Sequence, residues 1–377
     1  LSWNGTLQFG GAHQFTLQSP AFTLDDKGIQ VSWAGLQADG GGNINDHSYQ
    51  IKLRAPKLEA GGPDPVSGEQ GKALLENIQL AVEGRRSASG LNIGSGSMEV
   101  GKFHITDPSK KGEVELNQFG YTYQVKENGQ FVDLALAYKI AGIVAGAEKK
   151  TYGPALLELG IGHLHAPTLL AFDKSMKGIM CAKPEQKQAM AGEMIGQWKQ
   201  LSTELLRNKP ELQLKQVRFS SPDGELQAKG RISIDGFEPA MLETPQTAMA
   251  ALPGILQVEF AGQIPEKFLM SSLRGFALSS ARRQMMQEGG GEIDAGQMQT
   301  LQEGAEQDAR QKIGLALAQN YIKQDGDKLS IDFKFGKGQA SLNGAPFDLP
   351  FLPQSAQAPS AQIGADPAQP GTPPSQQ

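Results

Sequence analysis

The chain has 377 residues, 35 Lys and Arg against 40 Asp and Glu, a net charge of −5 with its histidines neutral, and one cysteine. At roughly 150 residues per domain, that length suits two or three units or one elongated unit. A lone Cys181 excludes an intramolecular disulfide and thiolate-rich zinc frameworks. The acidic balance, with no sustained Lys/Arg block, excludes a duplex nucleic-acid binder that displaces counterions with a basic stripe.

The 46 glycines and 22 prolines exceed their usual joint share of about 12% and fit a chain of many short strands. Residues 1–150 read in period two. Leu1, Trp3, Leu7 and Phe9 share one parity, as do Ile29, Val31 and Trp33, then Tyr49, Ile51, Leu53 and Ala55, then Ile78, Leu80 and Val82. Phe119, Tyr121, Tyr123 and Val125 and the run Val132, Leu134, Leu136 and Tyr138 repeat the pattern across Asn128-Gly129, a dipeptide suited to a tight hairpin turn. Asp26-Lys27-Gly28 and Gly40-Gly41-Gly42-Asn43 read as further turns. With no amphipathic helix between these strands, the spacing predicts an antiparallel meander.

Residues 151–210 read as a helical insertion. Pro154 precedes Ala155, Leu156, Leu157 and Leu159, which predict a short helix, and Met190, Met194, Trp198, Leu201 and Leu205 predict a longer one from Pro184 to Asn208, stopped by Pro210. Residues 211–352 return to strands and complete the sheet with two helices. A hairpin turns at Pro222-Asp223-Gly224, and a strand through Leu256, Val258 and Phe260 runs into Pro265. That proline opens a helix with Leu269, Leu273 and Phe276. A break at Gly289-Gly290-Gly291 leads to a helix over 294–323, then to closing strands around Leu329 to Phe335 and Ala340 to Leu342. The segment 353–377 holds six prolines, six glutamines and the one charged side chain Asp366, a composition that predicts a disordered tail. The fold expected is α+β: an elongated, groove-like antiparallel sheet with a few amphipathic helices in the central and C-terminal regions.

Motifs for chemistry are sparse. His163 and His165 stand two apart and would share a strand face, but no third ligand is near, and His13, His47 and His104 are scattered without H-E-x-x-H spacing. Gly94-Ser95-Gly96-Ser97 lacks nucleophile-elbow spacing and reads as a turn. Cys181 has no histidine nearby in sequence, and Asp325-Gly326-Asp327 lacks the further ligands of a calcium loop. Met270, Met285, Met286 and Met298 fall on helix surfaces and read as core filling. No catalytic residue, metal ligand or cofactor is assigned, and the protein is expected not to be an enzyme.

Three stretches resemble a YdgA-like family of bacterial envelope proteins, domain-of-unknown-function family 945. They are Gly28-Ile29-Gln30-Val31-Ser32-Trp33-Ala34-Gly35-Leu36, then Thr151-Tyr152-Gly153-Pro154 with the later run Leu169-Leu170-Ala171-Phe172, and Leu342-Asn343-Gly344-Ala345-Pro346. The order of β-rich half, central helices and closing strands agrees over residues 1 to about 352. The resemblance implies a periplasmic protein tethered to the inner membrane by an N-terminal segment. Residue 1 is Leu and falls inside an apparent strand, so such a segment is expected to precede it.

Trp3, Trp33, Tyr49, Phe119, Tyr121, Tyr123 and Tyr138 form the candidate apolar groove, because together they make one broad hydrophobic sheet face that must be covered by something. By analogy with larger envelope proteins, whose long open sheets hold lipid chains, the expected role is binding or conveying a lipid or other amphipathic molecule. The alternative is an envelope protein-interaction or assembly module without a ligand.

Overall fold

The computed structural model describes residues 1–64, 68–107, 112–146, 149–181, 196, 198–287 and 295–349. The residues expected to begin the helix at Pro184, the glycine run at 289–291 and the proposed tail lie outside them.

In chain order, β1 (Ser2–Leu7) and β2 (Ala12–Ser19) precede a hairpin of β3 (Phe22–Asp26) and β4 (Ile29–Trp33), and β5 (Leu36–Asn43) follows. Five long strands come next: β6 (Ser48–Pro63), β7 (Gln70–Arg86), β8 (Asn92–Asp107), β9 (Gly112–Asn128) and β10 (Phe131–Ala145). After β11 (Lys150–Tyr152) and β12 (Ala155–His165), the helices α1 (Ala166–Cys181) and α2 (198–207) lead to β13 (Glu211–Ser221) and β14 (Gly224–Ile234). Next are α3 (Pro245–Ile255), β15 (Leu256–Pro265), α4 (Glu266–Gln287) and α5 (Ala295–Ala318), and then β16 (Lys323–Asp325), β17 (Lys328–Gly336), β18 (Gln339–Leu342) and β19 (Ala345–Phe347).

All of these strands join one 19-stranded sheet, and every pairing in it is antiparallel. The main row runs β1, β2, β5, β6, β7, β8, β9, β10, β12, β13, β14, β15, β17, β18, β19. The β3–β4 hairpin lies on the second half of β6, with Trp33 opposite Leu58. Helices leave only at the strand ends. At one end α1 meets α2 through Phe172 and Trp198, ring centroids 4.8 Å apart, and α3 caps itself with Thr244, whose hydroxyl accepts from the Thr247 amide. At the other end α4 and α5 form an antiparallel hairpin, Arg282 reaching the Met298 sulfur at 3.1 Å.

One feature spans the long strands. Pairing skips Pro56, Asn77, Gly101, Gln118 and Ala141, one residue in each of β6 to β10, all at the same level. Asn77 and Gln118 there have φ of 54° and 51°, a left-handed conformation that bends a strand and resets its alternation. Apolar residues accordingly recur three apart across the skip, as Ala55/Leu58, Leu75/Ile78, Val100/Phe103, Leu116/Phe119 and Ile140/Ile143. The sheet thus bends while one face stays apolar.

Several sequence expectations are corrected. The helix expected at Ala155 to Leu159, inside the segment read as a helical insertion, is the strand β12, because β10 and β13 flank both its edges and Leu157, Leu159 and Ile161 alternate with Glu158 and Gly160. Gly40 to Asn43 and Gly94 to Ser97 lie within β5 and β8 rather than in turns. The helix expected to reach 323 ends at Ala318, where Asn320 takes φ 56° and the Tyr321 amide donates back to Ala316 at 2.8 Å, a Schellman-type stop. The helix α1 falls inside the segment expected to be helical, at a place where no particular helix is expected, and α3 has no counterpart among the expected elements.

Candidate functional site

The sheet is amphipathic along its whole row. One line of directly paired residues reads Trp3, Leu17, Ala38, Leu53, Leu80, Met98, Tyr121, Tyr138, Leu157, Val217 and Ala228. The adjacent line on the same face continues through Phe15, Ile51, Val82, Tyr123, Leu136, Leu159, Leu214, Phe260, Phe333 and Leu342. Period-two alternation puts polar residues on the reverse, where Asp39, Lys52, Ala81, Ser97, Thr122, Ala137 and Glu158 stand in register.

Aromatic rings floor the apolar face. At Gly40, Gly84 and Gly96 an added Cβ would collide with the ring of the cross-strand partner, Phe15, Tyr49 and Tyr123 respectively. Each ring therefore lies over a glycine backbone, the reason these glycines sit inside strands. Tyr121 packs on Tyr138 with centroids 4.8 Å apart and on Tyr123 at 6.2 Å. Burial beside these rings raises the Tyr123 hydroxyl above its ordinary pKa.

This face is open over much of its length. Tyr49 and Tyr138 are 39% and 38% exposed and Leu212 and Ile232 are exposed, while Phe119, Tyr121 and Tyr123 are half-buried. Among the described residues the buried apolar side chains are few and mostly small in the N-terminal strands, Ala38, Ala55, Val100 and Val132, and larger toward the C-terminus, where Ile313 of α5, Leu329, Phe335 and Leu342 are buried. Among the described residues α1 touches β12, α3 touches β17, and α4 touches β15. Phe268 in the first turn of α4 meets Phe219 of β13 at 5.8 Å. No described helix is long and apolar enough to cross a membrane.

The structure brings Tyr49, Phe119, Tyr121, Tyr123 and Tyr138 together on this face. Trp3 is on the same face but out on β1 and 69% exposed. Trp33 lies beyond the bend on the β3–β4 hairpin, away from the tyrosines but paired with Phe22 and with Leu58 of the apolar line, its indole N–H donated to the Ser19 hydroxyl at 3.2 Å. His163 and His165 do not converge. His163 has φ 58° and its amide donates to Asp133, His165 bonds Thr168 at 2.8 Å, and Phe131 lies near both rings.

Hollows lie on the reverse, polar face. One of about 450 Å³ sits where Ala81, Ser97, Thr122 and Ala137 make a low strip between Lys52 and Glu158. Beyond the bend this face carries a charge lattice. Glu59 accepts from Lys57 and Lys72, both at 2.6 Å, and these bonds hold its carboxyl well down, from 4.5 to about 2. Lys102 bonds Glu115 at 2.8 Å and lowers that carboxyl as well.

Within the lattice is a group that reading the sequence one motif at a time misses: His104, Glu113 and Glu115, whose ligand atoms lie within 4.8 Å of one another. The signal was in the pairing, since β8 and β9 form a hairpin that sets His104 opposite Glu115 and Thr106 opposite Glu113.

The described residues thus form an open, one-sided apolar sheet with polar hollows behind it. A family model described as bacterial protein of unknown function (DUF945) matches residues 1–350, and the chain belongs to that family. Neither a curated protein nor a solved structure matches the chain significantly.

Proposed function

We propose that this protein is a non-enzymatic component of the bacterial envelope, periplasmic and tethered to the inner membrane, that holds the acyl chains of a lipid or other amphipathic molecule on its apolar sheet face. The observation that carries this reading is the unbroken apolar line across the sheet, left half-open from β6 to β14. Burying apolar surface there gains roughly 25 cal/mol per Å², and the tyrosine hydroxyls supply polar points at the rim of a bound chain. Such a face selects by length and shape more than by headgroup.

Native mass spectrometry of gently purified protein, with extraction and identification of what it carries, tests the reading. The expected result is a near-stoichiometric acyl-chain ligand that is lost in Tyr121→Glu while the sheet still folds. A clean apo mass, with no uptake from added phospholipid vesicles, overturns it. That outcome favours the second reading, a protein-interaction module. In its favour, the edge strand β1 carries the exposed Trp3 and Leu7 and no charged side chain.

A further inference from the structure

His104 stands opposite Glu115 in the β8–β9 hairpin, two positions from the Thr106–Glu113 pair and on the same face. Its Nδ1 lies 3.6 Å from an oxygen of Glu113 and 3.6 Å from an oxygen of Glu115. That nitrogen is fully buried and has no hydrogen-bond partner. The other ring nitrogen, Nε2, is 3.2 Å from the Thr106 hydroxyl. With its proton there, the imidazole aims a bare lone pair at two carboxylates, an arrangement that a cation between the three groups resolves.

We propose that His104 Nδ1, Glu113 and Glu115 form a binding site for a divalent first-row transition metal of the zinc class. One imidazole and two carboxylates suit such ions better than calcium or magnesium, which prefer all-oxygen shells. A separation of 3.6 Å between donor atoms matches two ligands each about 2.1 Å from a tetrahedral centre. The outer atoms are already held, as metal ligands require. Asn117 donates to the second Glu115 oxygen at 2.9 Å, Lys149 bonds the second Glu113 oxygen at 3.3 Å, and Thr106 holds the imidazole. Lys102 is the competitor, since it bonds the same Glu115 oxygen that faces His104. Three protein ligands leave one position for water or an incoming donor. The site is on the polar face, and it stands or falls independently of lipid binding on the other face.

Zinc titration of the chelator-treated full chain by calorimetry near neutral pH tests the proposal, with circular dichroism following the sheet. The expected result is one zinc ion per chain, with affinity reduced roughly tenfold or more in His104→Ala and in Glu115→Gln. Lys102→Met is expected to tighten binding by removing the competing ammonium, an effect that a merely structural ion pair would not produce. The double variant His163→Ala/His165→Ala is expected to bind like the parent. Absence of saturable uptake overturns the proposal, as does uptake that survives His104→Ala or disappears with His163 and His165. If His104→Ala disturbs the sheet, Glu115→Gln and Lys102→Met decide by their opposite expected directions.

Discussion

Glu59 illustrates how single side chains on the polar face couple stability to pH. Hydrogen bonds from Lys57 and Lys72 hold its folded pKa at about 2, against an ordinary 4.5. A depressed carboxyl contributes stability that is fully present above its unfolded pKa and is lost as pH falls through the folded one. The window is therefore from about 4.5 down to about 2. Urea unfolding of Glu59→Gln is expected to show weaker pH dependence across that window than the parent. The difference is expected to shrink at high salt, because these side chains remain partly exposed and their ion pairs are screened. An unchanged pH dependence would mean that the pairs with Lys57 and Lys72 do not persist in solution. Asn343 sets geometry instead. At φ 54° its side chain accepts from the Asp332 amide at 2.9 Å and donates to the Asn320 carbonyl at 2.8 Å, tying the exit of α5 to β17. This gives the Asn343-Gly344 pair, part of one of the stretches that resemble the family, a physical role.

The common bend in β6 to β10 is the element-scale feature with the clearest cost. Gln118 sits there at φ 51°, where any L side chain is strained by about 1–2 kcal/mol and a β-branched one is disfavoured further. Strand propensity by itself would favour valine at an exposed strand position. Gln118→Val is expected to lower stability by about 1 kcal/mol in chemical denaturation, through the crowding that β-branching adds at this φ, and Gln118→Gly to leave it equal or raised. A stabilising Gln118→Val would show that β9 does not hold the left-handed turn. The same bend explains what could and could not be read from the chain. Period-two runs such as Phe119 to Val125 were legible because each needs only local alternation. The three-residue jump from Leu116 to Phe119 was not, since only neighbouring strands reveal that it is shared. Likewise Gly94 to Ser97 looked like a turn because glycine's partner, the Tyr123 ring, comes from another strand. The leucines around 157 looked helical because adjacent Leu156 and Leu157 hide an alternation that the cross-strand partners of β12 enforce. Of the candidate groove, the tyrosines on β9 and β10 were legible as one face. The displacement of Trp33 onto a side hairpin and the meeting of His104 with Glu113 and Glu115 depend on pairings between strands that local patterns do not specify.

At the scale of the whole molecule, a sheet this long faces a problem of area. Its described helices all leave from strand ends between β12 and β17 and none follows a strand from β1 to β10, where Trp3, Tyr49 and Tyr138 stay exposed. Open apolar faces of this extent on soluble domains mark binding or association surfaces. They should therefore report themselves in the native state. An anilinonaphthalene dye is expected to bind the folded protein and fluoresce before any unfolding transition. A single-chain lysophospholipid is expected to displace it, and Tyr138→Glu is expected to weaken both dye and lipid. Retention of near-ultraviolet dichroism in the same samples separates a native open face from a molten state, in which dye binding accompanies loss of side-chain packing. A ligand held on this face also stabilises by mass action, so the melting temperature should rise with lysophospholipid concentration in the parent and much less in Tyr138→Glu. Dye fluorescence that begins only with unfolding would place a cover over β6 to β14 in the free chain. The apolar line would then be internal packing, and the acyl-chain reading would fall.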